Sequence, residues 1–148
     1  MGKYAAVHQT PVGTNLTIIN VIGTAAIRCK IFEIQLGSDA TPADIATEFN
    51  ITRTTAVGTG GTGLTISPLD PLTVAATGTA TGGTFGVEPT YGSNILLEIG
   101  VNQRAAYRWF AAPGNELICV ASASNGLGLR SINSGGTPNY NATIQWEE

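Results

Sequence analysis

Residues 140–147 read Tyr140-Asn141-Ala142-Thr143-Ile144-Gln145-Trp146-Glu147, apolar and polar side chains in unbroken alternation. A strand repeats every two residues. Tyr140, Ala142, Ile144 and Trp146 therefore fall on one face and Asn141, Thr143, Gln145 and Glu147 on the other. Outward from this segment, short runs rich in β-branched and aromatic residues alternate with dense Gly, Pro, Asn and Ser signals. Runs at 15–22, 28–36, 48–55, 64–67, 95–101, 104–111, 117–122, 127–132 and 140–146 predict strands. The expected fold class is all-β: an antiparallel sandwich or jelly-roll-like barrel with long Gly/Thr-rich loops and at most one short helix. That helix would be a single turn at 41–46, where Thr41-Pro42-Ala43-Asp44 offers an N-cap followed by proline. Within 28–36, strict alternation groups Phe32, Ile34 and Leu36 with the stem of Lys30. Cys29, Ile31, Glu33 and Gln35 then share the opposite face.

A chain of 148 residues suits one domain. Area scaling gives about 7,000 Å² of folded surface, with about two-thirds of the unfolded surface buried, enough for a core without staples. The expected organisation is an N-terminal arm over 1–14 and a single β-sandwich domain over 15–148. Within that domain, 58–92 forms a loop-rich excursion of mostly small residues, expected to run over the surface or across a neighbouring subunit.

Only 11% of residues are charged while 43% are hydrophobic, so the composition is that of a folded chain with few surface charges. A surface of Thr, Asn, Gly and Ala suits contacts that would otherwise desolvate charges, which points to an oligomer or larger assembly. Net charge is −3 and the basic residues are scattered. No basic stripe exists to neutralise phosphates, so no nucleic-acid partner is expected. No run approaches 18 apolar residues and the start lacks a signal-peptide pattern, so no membrane partner is expected and synthesis is expected in the cytoplasm. Cys29 and Cys119 read as separate, buried, reduced thiols acting as small hydrophobes.

Motifs for chemistry are sparse, and neither a cofactor nor a catalytic site is expected. Gly58-Thr59-Gly60-Gly61-Thr62-Gly63 spells G-x-G-x-x-G, but Leu64-Thr65-Ile66-Ser67-Pro68 follows and cannot open the helix a dinucleotide site requires. It reads as a Gly-rich turn between strands. His8 is the only histidine. A serine triad would have to be built on it, and a zinc site would have only His8, two distant cysteines and carboxylates. A glycosidase needs two facing carboxylates, and the ten acidic residues show no such pairing in sequence. Asn-x-Thr triplets at Asn15, Asn50 and Asn141 carry no weight in a chain this rich in Asn and Thr.

The most distinctive segment is Asn102-Gln103-Arg104-Ala105-Ala106-Tyr107-Arg108-Trp109-Phe110. As a strand it sets Tyr107 and Trp109 on one face and Arg108 and Phe110 on the other. Arg and Trp bring contact area with directed hydrogen bonds. Arg104, Arg108, Tyr107 and Trp109 are therefore candidate protein-interface residues, against the plainer reading of a core strand whose arginines pair with carboxylates. His8 and Pro11 on the arm, and Asp70 in the Pro68-Leu69-Asp70-Pro71 turn, join the list as reaching contacts.

The runs from Thr41 to Thr55, Gly58-Thr59-Gly60 and Ser67-Pro68-Leu69-Asp70-Pro71 resemble small head proteins of tailed bacteriophages, including cyanobacterial phages. The stretch from Asn102 to Gly114 and the ending Ile144-Gln145-Trp146-Glu147-Glu148 share the resemblance, which spans most of the chain from Ile27 onward. Its motifs are structural. The resemblance implies a capsid decoration, or cement, protein: β-rich, assembling as a homotrimer, and seated on the capsid exterior between major capsid protein subunits. Such proteins add after the head has expanded and hold it against internal pressure. The partners implied are the major capsid protein and further copies of the chain, and no catalytic residue carries over. Two other classes stay open. One is a receptor- or carbohydrate-binding tail or fibre module using Tyr91, Tyr107, Tyr140, Trp109 or Trp146. The other is a hydrolase on a β-sandwich, which a lone histidine and sparse carboxylates disfavour.

Overall fold

In a computed structural model, which describes residues 1–39 and 41–148, twelve strands form two packed antiparallel sheets, and no helix occurs among the described residues. The strands are β1 (Lys3–Pro11), β2 (Leu16–Ile22), β3 (Lys30–Asp39), β4 (Ala46–Ala56), β5 (Thr62–Gly63) and β6 (Ile66–Pro68). They continue with β7 (Thr79–Gly82), β8 (Thr90–Asn102), β9 (Tyr107–Phe110), β10 (Leu117–Ile118), β11 (Gly126–Ser134) and β12 (Asn139–Glu147). Sheet A has the order β10-β3-β12-β1-β6, with β9 also on β3, and sheet B the order β5-β7-β2-β11-β4-β8. The two sheets make a sandwich and not a closed barrel. The turn expected at 41–46 does not form a helix at 41–45, and Ala46 opens β4; Ala40 lies outside the described residues.

The last strand pair organises the whole. β11 lies between β2 and β4 in one sheet, and β12 between β1 and β3 in the other. The alternation in β12 turns Tyr140, Ala142, Ile144 and Trp146 fully into the core. There Phe49 meets Tyr140 edge-on at 4.8 Å between ring centroids, and Trp146 packs on Tyr4 at 6.1 Å. Isoleucines 18, 19, 31, 34, 51 and 144 fill the space between the rings. Fully burying each such side chain stabilises the fold by about 1.5–3 kcal/mol. The accessible surface is 7044 Å², as area scaling anticipates.

Three expectations need correction. The supposed arm is β1, paired along its whole length with β12 and at Tyr4–Ala6 with β6, so it lies inside sheet A. The 58–92 excursion is docked on its own sandwich: β5 joins sheet B, β6 joins sheet A and β7 returns to sheet B. Its Gly-rich turn, with Gly58 and Gly60 at positive φ, hooks onto 86–87 through Thr59 N–H to the Val87 carbonyl at 2.9 Å. Finally, strict alternation fails in β3. A bulge sets Gln145 opposite Glu33 and Trp146 opposite Ile31, leaving Phe32 as the extra residue. Ile31, Ile34 and Leu36 are therefore buried together while Phe32 is only half-buried.

Candidate functional site

The outer face of sheet A gathers most of the chain's exposed chemistry. β9 pairs with β3 so that Arg108 stands opposite Gln35 and Phe110 opposite Glu33. Arg108 Nε donates to Glu33 Oε1 at 2.6 Å, and Gln35 Nε2 donates to the same oxygen at 2.5 Å. Glu33 is a buried carboxylate, and the guanidinium beside it holds its carboxyl below the usual range against the opposing pull of burial. Next to this pair, Phe110 meets Phe32 edge-on at 6.2 Å, and Lys3 Nζ lies 5.4 Å from the Phe32 ring centre. Lys30 and Glu147 close that end with a 3.2 Å ion pair.

Two depressions flank the Glu33–Arg108 pair. One, of about 340 Å³, is lined by Lys3, Phe32, Leu69, Phe110, Pro113 and Glu147. Its rim is apolar and open: Phe110 is 60% exposed, and the turn that carries Leu69 also carries Leu72, 92% exposed, and Val74, 79% exposed. The other, about 400 Å³, lies over Gly37 and Ala106 with Gln35, Arg108, Asn141 and Thr143 around it. It is shallow and mixed in character, with Leu36 and Tyr107 also in its lining.

The residues singled out in sequence do not converge on one point. Arg108 is half of the ion pair. Tyr107 and Trp109 occupy the opposite face of β9, as the alternation requires, and pack half-buried against the core. Arg104 is exposed in the β8–β9 turn, where its N–H donates to Asn102 Oδ1 at 2.9 Å. His8 points inward toward Gly82 and Gly83; burial lowers its pKa, and its Nε2 has no hydrogen-bond partner among the described residues. Pro11 is exposed at the end of β1, beside Leu16 and Phe85. Asp70 uses its carboxylate within its own turn, accepting from Leu72 N–H at 2.9 Å. Of the five aromatics expected for a sugar platform, Tyr140 and Trp146 are buried, Tyr91 lies against Gly128, and Tyr107 and Trp109 are half-buried.

Sequence reading missed Phe32, Leu69, Leu72 and Val74, which the bulge and the docked turn bring to the surface. It also missed that Cys29 and Cys119 are neighbours: Cys119 N–H donates to the Cys29 carbonyl at 2.9 Å. Nothing local signals a pairing between residues so far apart in the chain. Among the described residues, no three His, Cys, Asp or Glu side chains are grouped as metal ligands would be. No protein-family model matches the chain, and no curated protein matches it significantly.

Proposed function

We propose that the chain is a non-enzymatic virion protein that binds the outer surface of a phage capsid as a homotrimer and stabilises the expanded head. The observation that carries this reading is the depression on sheet A lined by Phe32, Leu69 and Phe110, with Leu72 and Val74 exposed further along the turn that carries Leu69, on a charge-poor surface. Large apolar side chains left exposed around one depression favour an interaction site. The scarcity of charge lowers the desolvation cost of covering them. The edge strand β8 adds support for self-association, since it pairs only with β4 and leaves backbone groups open to another copy.

The mechanism is multivalent. A trimer presents three equivalent patches, so individually modest contacts with major capsid protein subunits combine through effective concentration. Binding only where the expanded lattice spaces the sites correctly stabilises that state by mass action. The reaching contact belongs to the turn at 69–76, with β1 held in the sheet.

The test is co-sedimentation of the full chain with expanded and unexpanded heads of the encoding phage, alongside its mass by light scattering. Preferential binding to expanded heads and a trimeric mass are the expected results. Leu72→Asp and Phe110→Asp should each weaken binding by at least about tenfold, as loss of a central contact does. Their melting midpoints should stay within about 2 °C of the parent, because both side chains are exposed. Variants that bind as tightly as the parent would remove the patch from the interface, and a parent that ignores expanded heads would remove the function.

A further inference from the structure

The pole of the sandwich where β2 ends and β3 begins holds a feature that the capsid reading does not use. Cys29 precedes β3 and Cys119 follows β10, and the β3–β10 register of Leu117 with Ile31 and Ile118 with Lys30 continues to set them opposite each other. One backbone bond, from Cys119 N–H to the Cys29 carbonyl at 2.9 Å, joins them just beyond the end of the β3–β10 ladder. Directly opposed residues of antiparallel strands have Cα atoms about 4.5–5.5 Å apart. Disulfides span about 4.4–6.8 Å between Cα atoms. Both thiols are fully buried at the end of β2, where Cys119 Sγ donates to the Val21 carbonyl at 3.5 Å and Cys29 Sγ to the neighbouring Ile22 carbonyl at 3.8 Å.

The pair has a cover. The Glu148 carboxylate accepts from the Thr77 and Gly78 backbone N–H groups, the latter at 3.0 Å, and lies 3.9 Å from Cys29 Sγ. A Cβ on Gly78 would sit 2.8 Å from that sulfur, so the 77–78 backbone rests directly on it. The Cys119 contact, burial and the Glu148 charge all push the Cys29 thiol up, which keeps it protonated and slow to react while the cover is closed.

We propose that Cys29 and Cys119 are a modification site: in an oxidising thiol–disulfide pool they close into one intramolecular disulfide joining the start of β3 to the segment after β10. The oxidant is glutathione disulfide or a low-molecular-weight disulfide of the same class. One protein thiolate attacks it, displacing one glutathione thiolate and leaving a mixed disulfide. The second protein thiolate attacks the protein-side sulfur and displaces the other glutathione. The chain loses two electrons and two protons, glutathione disulfide gains them, and two glutathione thiols leave. The cross-link closes a loop of about 90 residues, long enough to constrain the unfolded chain substantially.

The test is refolding of the full chain from denaturant in glutathione buffers of graded oxidised-to-reduced ratio, which gives the thiols access whatever the cover does. The folded product in oxidising buffer should be short of two hydrogens by intact mass, with one peptide cross-link between Cys29 and Cys119. Its melting midpoint should rise by about 5–15 °C and return on reduction with dithiothreitol. On the already folded protein, Glu148→Gln should accelerate oxidation severalfold by removing the charge that opposes the thiolate. Cys119→Ala, which keeps a small apolar side chain, should show no oxidative stabilisation. Two free thiols at every ratio, glutathione adducts in place of the cross-link, or stabilisation that persists in Cys119→Ala would each overturn the proposal.

Discussion

The two sheets turn very different outer faces to the surroundings. Over β2 and β11 of sheet B the chain covers itself, although Ile95 on the edge strand β8 stays 47% exposed. Tyr91 lies on Gly128 and bonds the Thr17 hydroxyl at 2.6 Å; Arg130 sits 4.2 Å over the Tyr91 ring and donates to Asn50. Glu88 accepts from Thr17 N–H at 3.0 Å. These polar groups are committed to partners within the chain. On sheet A the Glu33–Arg108 pair is the main internal bond of the face, and beside it Phe110 and the 69–74 turn leave apolar surface uncovered. A face whose groups are already bonded fixes how the excursion docks. A face with exposed apolar side chains is the one a partner can still gain by covering.

The largest way to break this contrast is to remove β1. Deleting residues 2–12 strips β12 and β6 of their shared neighbour and removes Tyr4, Ala6 and Val12 from the core. The loss is comparable to the whole stability of a domain, about 5–15 kcal/mol. The truncated chain should therefore show no cooperative thermal transition, by circular dichroism. A normal melt would mean that the rest of sheet A stands without β1.

That strand was also the least legible part of the fold, for a physical reason. Its inward residues are Tyr4, Ala6, His8 and Thr10, small or polar after the first, while Val7 faces out and is 60% exposed. The period of two is present, but hydrophobicity does not trace it. β12 carries large apolar residues at every inward position and could be read at once. In β3 the alternation was readable and still misled, because the bulge opposite Gln145 and Trp146 depends on a partner strand about a hundred residues away. The candidate site followed the same division. The two faces of β9 were legible from its own residues, whereas the partners of those faces, Glu33 and Phe32, come from pairing that only tertiary structure sets.

A smaller effect tests the covered face. A Cβ at Gly128 would lie 2.5 Å from the Tyr91 hydroxyl and 2.6 Å from its ring. Gly128→Val must therefore lift Tyr91 off sheet B and break its bonds with Thr17 and Arg130. Overpacking of this kind costs about 1–3 kcal/mol. The melting midpoint should fall by several degrees, and the near-ultraviolet signal of Tyr91 should change while the β-sheet signal stays. An unchanged midpoint would show that the covering segment is not held by this contact.

The smallest effect, and the one that separates charge from packing on sheet A, concerns pH. Arg108 holds the Glu33 carboxyl below its ordinary value, so Glu33 loses its proton at lower pH in the folded chain than in the unfolded one. Between those two values the unfolded state binds the extra proton, and stability rises with pH. The contribution is complete above the unfolded carboxylate value, near 4.3, and is lost as pH falls through the folded one. In Arg108→Gln the guanidinium is gone, and burial of Glu33 then works against its charge with only Gln35 to oppose it. The variant should be less stable than the parent at pH 7, and the gap should narrow steadily as thermal melts are repeated toward pH 3. Arg108 is 65% exposed, so solvent screening keeps the gap modest and added salt should shrink it. A gap that stayed constant from pH 7 to 3 would mean that Arg108 acts through the packing of its stem over β3, and that the open face owes nothing to its ion pair.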